Sequence, residues 1–266
     1  MKKKVIMIIL TVIVILNVLW LMYVGYAWSW GPFSGFSDIR FRNLKGNGEV
    51  YALENVTSLK NSPLEGKHIC YLGSSVTYGA SSMQTSFAEY ISVRNKTTFV
   101  KEAVGGTTLV DAGETSYVSR LKGIDTNANF DLFVCQLSTN DATQKKPLGT
   151  ITPDGTMEFD TSTVYGAMEY IIAYVRDTWG CPVVFYTNSY YEKAEYAAMV
   201  GALYQLQEKY DIGIIDLYND KEFNSITEDQ RTLYMADNIH PTKAGYLQWW
   251  TPMFEKVLYG YFETAE

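Results

Sequence analysis

The chain has 266 residues, 47% of them hydrophobic and 19% charged, which is enough apolar material for one ordinary α/β domain with extensions. Its formal net charge is -7 and its Lys and Arg residues form no dense stripe, which argues against a nucleic-acid binder, since such proteins neutralise phosphates with clustered cations. Cys70, Cys135 and Cys181 cannot all pair within the chain; they lie in or at the start of apolar runs and read as small buried hydrophobes, not as a disulfide framework or a metal site.

In chain order, Met1-Lys2-Lys3-Lys4 precedes an apolar stretch from Val5 to Ala27 that is interrupted chiefly by Thr11 and Asn17. A run of this length crosses a bilayer as one helix. The three lysines favour a cytoplasmic N-terminus and so an exported remainder; Arg40, Arg42 and Lys45 lie further from the span and weaken that bias without reversing it. A cleaved signal peptide is the competing reading, with Gly25-Tyr26-Ala27 as its small-residue site. The stretch is longer than a typical signal core, so a retained anchor over residues 1–27 is preferred; both readings export the domain.

Residues 28–63, with Gly31-Pro32, Gly46-Asn47-Gly48 and Ser62-Pro63, read as a stem, with a short strand at 49–53. Residues 64–266 form the main domain. Apolar runs predict strands at 69–72, 98–103, 132–137, 183–187 and 212–217. Helices are predicted at 83–93, 109–121, 162–179 and 192–210, and a last helix runs from Pro241 to about Phe262 with a kink at Pro252. In the 162–179 helix Val164, Met168, Ile171, Ile172 and Val175 recur at helical spacing, and Trp179-Gly180-Cys181-Pro182 stops it. Strand–helix alternation predicts an α/β fold, a parallel sheet with helices on both faces. The segment 142–159 is long for a connection; a pocket wall and a plain surface insertion are equally open.

Four blocks carry the chemistry. Gly73-Ser74-Ser75-Val76 closes the first strand, and turns at the carboxyl ends of strands are where open α/β sheets hold reactive groups. Gly105-Gly106-Thr107 follows the second strand and Ser138-Thr139-Asn140-Asp141 the third. Asp237-Asn238-Ile239-His240-Pro241 lies near the C-terminus. A serine hydroxyl needs a neighbouring base, and the chain has two histidines. His68 is about 20 Å from Ser75 along an extended strand, at roughly 3.3 Å per residue, which leaves His240 as the base. Asp237, three residues earlier, is spaced to orient its imidazole; Asp141 is a weaker substitute.

Taken in order, these blocks resemble those of the SGNH (GDSL-type) serine hydrolases over roughly residues 64–262. Two positions depart from the family pattern: Ser74 stands where Asp is usual and Ser138 where Gly is usual. The resemblance implies the SGNH hydrolase fold, a three-layer α/β/α sandwich with a five-stranded flavodoxin-like sheet in the order 2-1-3-4-5, here preceded by an N-terminal transmembrane helix. It implies Ser75, His240 and Asp237 as catalytic residues, and as oxyanion donors the backbone N–H of Ser75, the backbone N–H of Gly106 and the Asn140 side chain. No cofactor and no metal is expected.

The activity implied is a serine esterase acting on carboxylic esters through an acyl-serine. Export favours a glycan ester, chiefly O-acetyl. A lipid esterase, an acyltransferase on the same site and a tethered binding module with a degenerate site remain as alternatives. Tyr78, Lys145 and Lys146 suggest a polar, aromatic rim that suits a short acyl group, whereas Trp249 and Trp250 on the last helix are candidates to line an apolar groove. The expected partners are a small-molecule or polysaccharide ester and, through the N-terminal helix, the cell membrane, with no nucleic acid.

Overall fold

The computed structural model describes residues 2–28 and 31–263; residues 29–30 of the expected stem and 264–266 of the expected main domain lie outside the described residues. Five parallel strands, β1 (His68–Gly73), β2 (Thr98–Ala103), β3 (Leu132–Gln136), β4 (Val183–Tyr186) and β5 (Gly213–Ile215), are ordered β2-β1-β3-β4-β5. The chain therefore reverses its direction across the sheet between β1 and β3, and the connections leave from opposite sides there. That opens a crevice beyond the carboxyl ends of these strands.

Strand side chains alternate between two cores, as a period of two requires. Cys70, Leu72, Phe133, Cys135, Val183 and Phe185 face one core. Ile69, Tyr71, Leu132, Val134, Val184 and Tyr186 face the other. The helices in chain order are α1 (Lys2–Trp28), α2 (Ser37–Arg42), α3 (Ser75–Tyr78), α4 (Phe87–Asn95), α5 (Tyr117–Leu121), α6 (Thr139–Thr143), α7 (Val164–Thr178), α8 (Ala194–Tyr210), α9 (Glu228–Tyr234), α10 (Lys243–Gly245) and α11 (Thr251–Glu263). Helices α5, α7 and α8 cover the first face and α4 and α11 the second, giving three layers. All three cysteines are buried and free.

Several element boundaries differ from the sequence reading. The predicted helix 109–121 shrinks to α5, because the Leu109 and Val110 N–H groups donate to the Asp141 carboxylate and Gly113 adopts φ 109°. Helix α4 starts four residues late, behind left-handed Met83 and Gln84, at a Ser86–Glu89 capping box. The last helix is interrupted by a π-helical turn, Tyr246–Trp250, just ahead of Pro252. A widened turn suits this position, since proline offers no N–H to the preceding turn and crowds its carbonyl. The 142–159 segment is a strap pinned to α7 and α8. The buried Glu169 carboxylate accepts from Thr152 N (2.9 Å), Thr152 Oγ1 (2.6 Å), Lys209 Nζ (3.0 Å) and Tyr210 Oη (2.8 Å).

The expected stem is docked over much of its length. The predicted strand at 49–53 is absent; 3₁₀ turns occupy Lys45–Asn47, Glu49–Tyr51 and Leu53–Asn55. The buried Asn47 donates to Phe41 O (2.8 Å) and Ser81 O (2.7 Å) and accepts from Lys243 N (2.8 Å). Tyr90 Oη donates to Tyr51 O. The end of α1 packs on this segment, with Val24 buried and Arg40 donating to Ala27 O. The rest of α1 is an exposed apolar helix; the most apolar 18 residues within Lys3–Ala27 have mean hydropathy 3.0, compatible with a membrane span or a signal anchor.

Candidate active site

Ser75 is the first residue of α3, directly after β1. The turn forms because the chain folds tightly on itself: a Cβ on Gly73 would stand 1.7 Å from Thr77 Oγ1 and 2.8 Å from Gln136 Oε1. Gln136, at the end of β3, holds the turn, its Oε1 accepting from Ser74 N (2.9 Å), Ser74 Oγ (3.3 Å) and Thr77 Oγ1 (2.9 Å). Ser74, which stands where the resemblance expects Asp, is fully buried in this arrangement.

The structure brings Ser75, His240 and Asp237 together. His240 Nε2 lies 2.8 Å from Ser75 Oγ, and His240 Nδ1 lies 3.0 and 2.9 Å from the two Asp237 oxygens. Asp237 also accepts from the Ile239 and His240 backbone N–H groups, each at 2.8 Å, so the carboxylate organises the loop that carries the imidazole. Burial opposes its ionisation, but the hydrogen bond and charge of His240 together with these two N–H groups prevail, and its pKa falls from 3.8 to about 2. His68, by contrast, lies at the opposite end of β1, with Nδ1 3.0 Å from Asn129 O and its ring against Phe130.

On the other side of Ser75 lie the β2 and β3 turns. A Cβ on Gly105 would sit 3.8 Å from Ser75 Cβ, so this turn passes against Ser75. Gly106 has φ 79°, a conformation glycine adopts freely. Asn140 Nδ2 donates to Thr107 O at 2.9 Å; an amide nitrogen carries two hydrogens, so one N–H remains for a ligand. Ser138, the second departure, caps α6 by accepting from Asn140 N (3.2 Å) and Asp141 N (3.4 Å).

Besides Gln136, two further supporting residues escaped the sequence reading in these roles. Asp141 does not orient a histidine: fully buried, its carboxylate accepts from Leu109 N (2.7 Å) and Val110 N (3.1 Å) and so ties the Gly105–Gly106 turn to the Asn140 turn. Burial raises its pKa against these N–H bonds. Arg120 donates to Gly73 O (2.7 Å), Glu102 O (2.9 Å) and Thr107 Oγ1 (3.2 Å), joining the ends of β1 and β2 to the same turn. No local motif announces an arginine 47 residues from its acceptor. Trp249 and Trp250 are buried in the second core, stacked on Phe223 and Phe254 respectively, which removes them as walls of an apolar groove. Lys145 is exposed and 3.7 Å from Glu195.

This arrangement can activate a serine hydroxyl and offer N–H donors to an adjacent oxyanion. A family model described as GDSL-like Lipase/Acylhydrolase matches residues 71–247. Among solved structures, a protein from Lactobacillus plantarum is 19% identical with TM-score 0.59, covering 76% of this chain and 99% of its own. A candidate GDSL-like lipase from Bacteroides ovatus is 19% identical with TM-score 0.56, covering 73% and 98%. A family two carbohydrate esterase from Clostridium thermocellum, solved with cellohexaose, is 15% identical with TM-score 0.50, covering 73% and 62%. No curated protein sequence matches this chain.

Proposed function

The chain belongs to the GDSL-like lipase/acylhydrolase family, and from that premise we propose that it is a membrane-anchored serine esterase, with its catalytic domain outside the cytoplasm, that hydrolyses short acyl esters, chiefly O-acetyl, of a carbohydrate. The observation that carries the reading is the Ser75 Oγ–His240 Nε2 contact of 2.8 Å with Asp237 on the other imidazole nitrogen. In the proposed reaction His240 takes the Ser75 proton as Oγ attacks the ester carbonyl. The oxyanion accepts hydrogen bonds from Ser75 N–H, Gly106 N–H and Asn140 Nδ2. Collapse breaks the carbonyl–alkoxy bond, His240 returns the proton to the departing alcohol, and the acyl group stays on Ser75. A water, deprotonated by His240, then releases the carboxylic acid and restores the serine.

Residues 1–27 serve in this reading as the anchor, 28–63 as the connecting segment and 64–266 as the hydrolase domain. The N-terminal lysines and the apolar helix support export. A short acyl group is supported by the burial of Trp249 and Trp250 in the core, and a carbohydrate alcohol by the fold shared with the C. thermocellum carbohydrate esterase. The test compares kcat/KM for aryl esters with acyl chains of about two to about ten carbons, alongside acetylated glycans. Falling values with chain length and Ser75-dependent labelling by a fluorophosphonate are expected. A steady rise with chain length would replace the reading with a lipid esterase.

A further inference from the structure

Beside the His240 loop the surface holds a cleft of about 210 Å³ lined by Tyr190, Tyr191, Glu192, Arg231 and Asn238. Its position follows from the topology. Tyr190–192 lie on the connection leaving the carboxyl end of β4, Arg231 on α9, and Asn238 between Asp237 and His240. His240 must return a proton to the departing oxygen in ester cleavage, so the alcohol part of the substrate leaves on the His240 side of Ser75. The Gly106 and Asn140 turns occupy the other side. The cleft is thus adjacent to the alcohol, not to the acyl chain.

The lining selects what can sit there. No aliphatic residue contributes to it, and its volume is below the roughly 300–1,000 Å³ of pockets that enclose drug-sized ligands, so it suits one ring. Tyr190 is 52% exposed, yet its position is fixed: its N–H donates to Asn224 Oδ1 at 2.9 Å, and its ring lies 5.2 Å from that of Tyr218. Among the described residues neither the Arg231 guanidinium nor the Glu192 carboxylate makes an ion pair. A guanidinium, a carboxylate and the Asn238 amide present planar, paired donors and acceptors, which match the adjacent hydroxyls of a sugar, while an aromatic face covers its C–H surface. One positive and one negative side chain cancel, which disfavours an anionic ring.

Resting on the carbohydrate-esterase reading above, we propose that this cleft binds the neutral glycosyl ring whose hydroxyl carries the acyl group, with Tyr190 against the ring face and Arg231, Glu192 and Asn238 on its hydroxyls.

The test measures kcat/KM of the full chain in detergent for acetylated xylo-oligosaccharide, for acetylated pectin fragments and for 4-nitrophenyl acetate, in the parent protein and in Tyr190→Ala, Arg231→Ala and Arg231→Lys. The ratio of xylo-oligosaccharide to aryl acetate should fall about tenfold in Tyr190→Ala and Arg231→Ala, chiefly through KM. Arg231→Lys, which keeps charge but loses the paired donors, should not restore it. An unchanged ratio overturns the proposal, and so does full rescue by lysine with faster turnover of the acidic pectin fragments, which would mark an anion site. Ser75-dependent hydrolysis of aryl acetate with none of either glycan overturns the proposal and leaves an esterase of another alcohol. Failure on all three substrates removes the esterase reading itself.

Discussion

At the scale of residues, the proposed roles make distinct demands. Ser75→Ala and His240→Ala should each lower kcat by at least about 10³-fold while leaving the unfolding transition in place. Asp237→Asn should cost less, because the amide oxygen can still accept from the Ile239 and His240 N–H groups that now reach Asp237. Asp237 also gives a pH signature. Its folded pKa of about 2 lies below its ordinary 3.8, so ionisation favours folding above about pH 3.8, and this contribution fades as pH falls through about 2. The stability difference between the parent and Asp237→Asn should therefore shrink between pH 4 and pH 2, an interval set by about those two values; a difference that stays constant across it would refute the role of the carboxylate. Asp141 belongs to a different category. Asp141→Asn places an NH2 where a carboxylate oxygen accepts Leu109 or Val110 N–H, stranding a buried donor at about 1–3 kcal/mol, and it should reduce kcat by loosening the Gly106 turn. Denaturant unfolding and kcat measured together check both effects. The blocks holding Ser75, Gly106, Asn140, Asp237 and His240 stood out in the sequence because four short blocks in order carry the family resemblance, and the structure brings Ser75, Asp237 and His240 within hydrogen-bond distance. Arg120, Gln136 and Asp141 were not legible in their supporting roles, because their partners are fixed by strand order and not by neighbours in the chain.

At the scale of elements, legibility followed how local the determining contacts are. Helix α7 was readable from Val164 to Val175 because its apolar stripe and its glycine–proline stop are within the segment. The 109–121 helix was overcalled because its first half spends its N–H groups on Asp141, a contact 31 or 32 residues away. The strap after β3 and the docked N-terminal segment were invisible for the same reason: each is held by contacts distant in sequence, the strap through Thr152 to Glu169 and the N-terminal segment through Asn47 to Ser81 O and Lys243 N. Glu169 collects four hydrogen bonds from Thr152, Lys209 and Tyr210. Burial resists its charge, but these donors outweigh burial and lower its pKa. Glu169→Ala removes the acceptor of Tyr210 Oη and of the Thr152 N–H and hydroxyl, and the buried carboxylate partner of Lys209, which keeps Thr152 O; it should lower stability by about 3 kcal/mol, with earlier proteolysis inside residues 145–160. Cleavage no faster than in the parent would show that the strap is held by other contacts.

At the scale of the whole molecule, strand–helix alternation made the parallel sheet legible, while its order, β2-β1-β3-β4-β5, was implied only by the family resemblance. The relation of the N-terminal helix to the hydrolase domain was not legible, since glycine-bearing sequence such as Gly46-Asn47-Gly48 looks like linker until Asn47 is seen bonded to both Ser81 O and Lys243 N. Ser81 follows the Ser75 turn and Lys243 follows His240, so one side chain from the N-terminal segment braces the two halves of the proposed site. A Cβ on Gly46 would meet Leu233 O at 1.9 Å and Thr242 Oγ1 at 2.3 Å, which shows how closely this segment is seated. Truncation separates a stem from an integral part of the fold. The full chain should sediment with membranes. A chain beginning at residue 31 should be soluble and as active on aryl acetate as the full chain, because it keeps Phe41, Asn47 and Tyr51. A chain beginning at residue 64 loses the Asn47 brace and the Tyr51 acceptor of Tyr90, and should unfold at a clearly lower temperature with reduced kcat. Asn47→Ala in the 31-onward chain should reproduce part of that loss, about 2 kcal/mol for the unpaired buried groups. Equal melting temperatures for the two truncations would return residues 31–63 to the status of a passive tether, and a mature N-terminus at Trp28 in cells would make the apolar helix a cleaved signal.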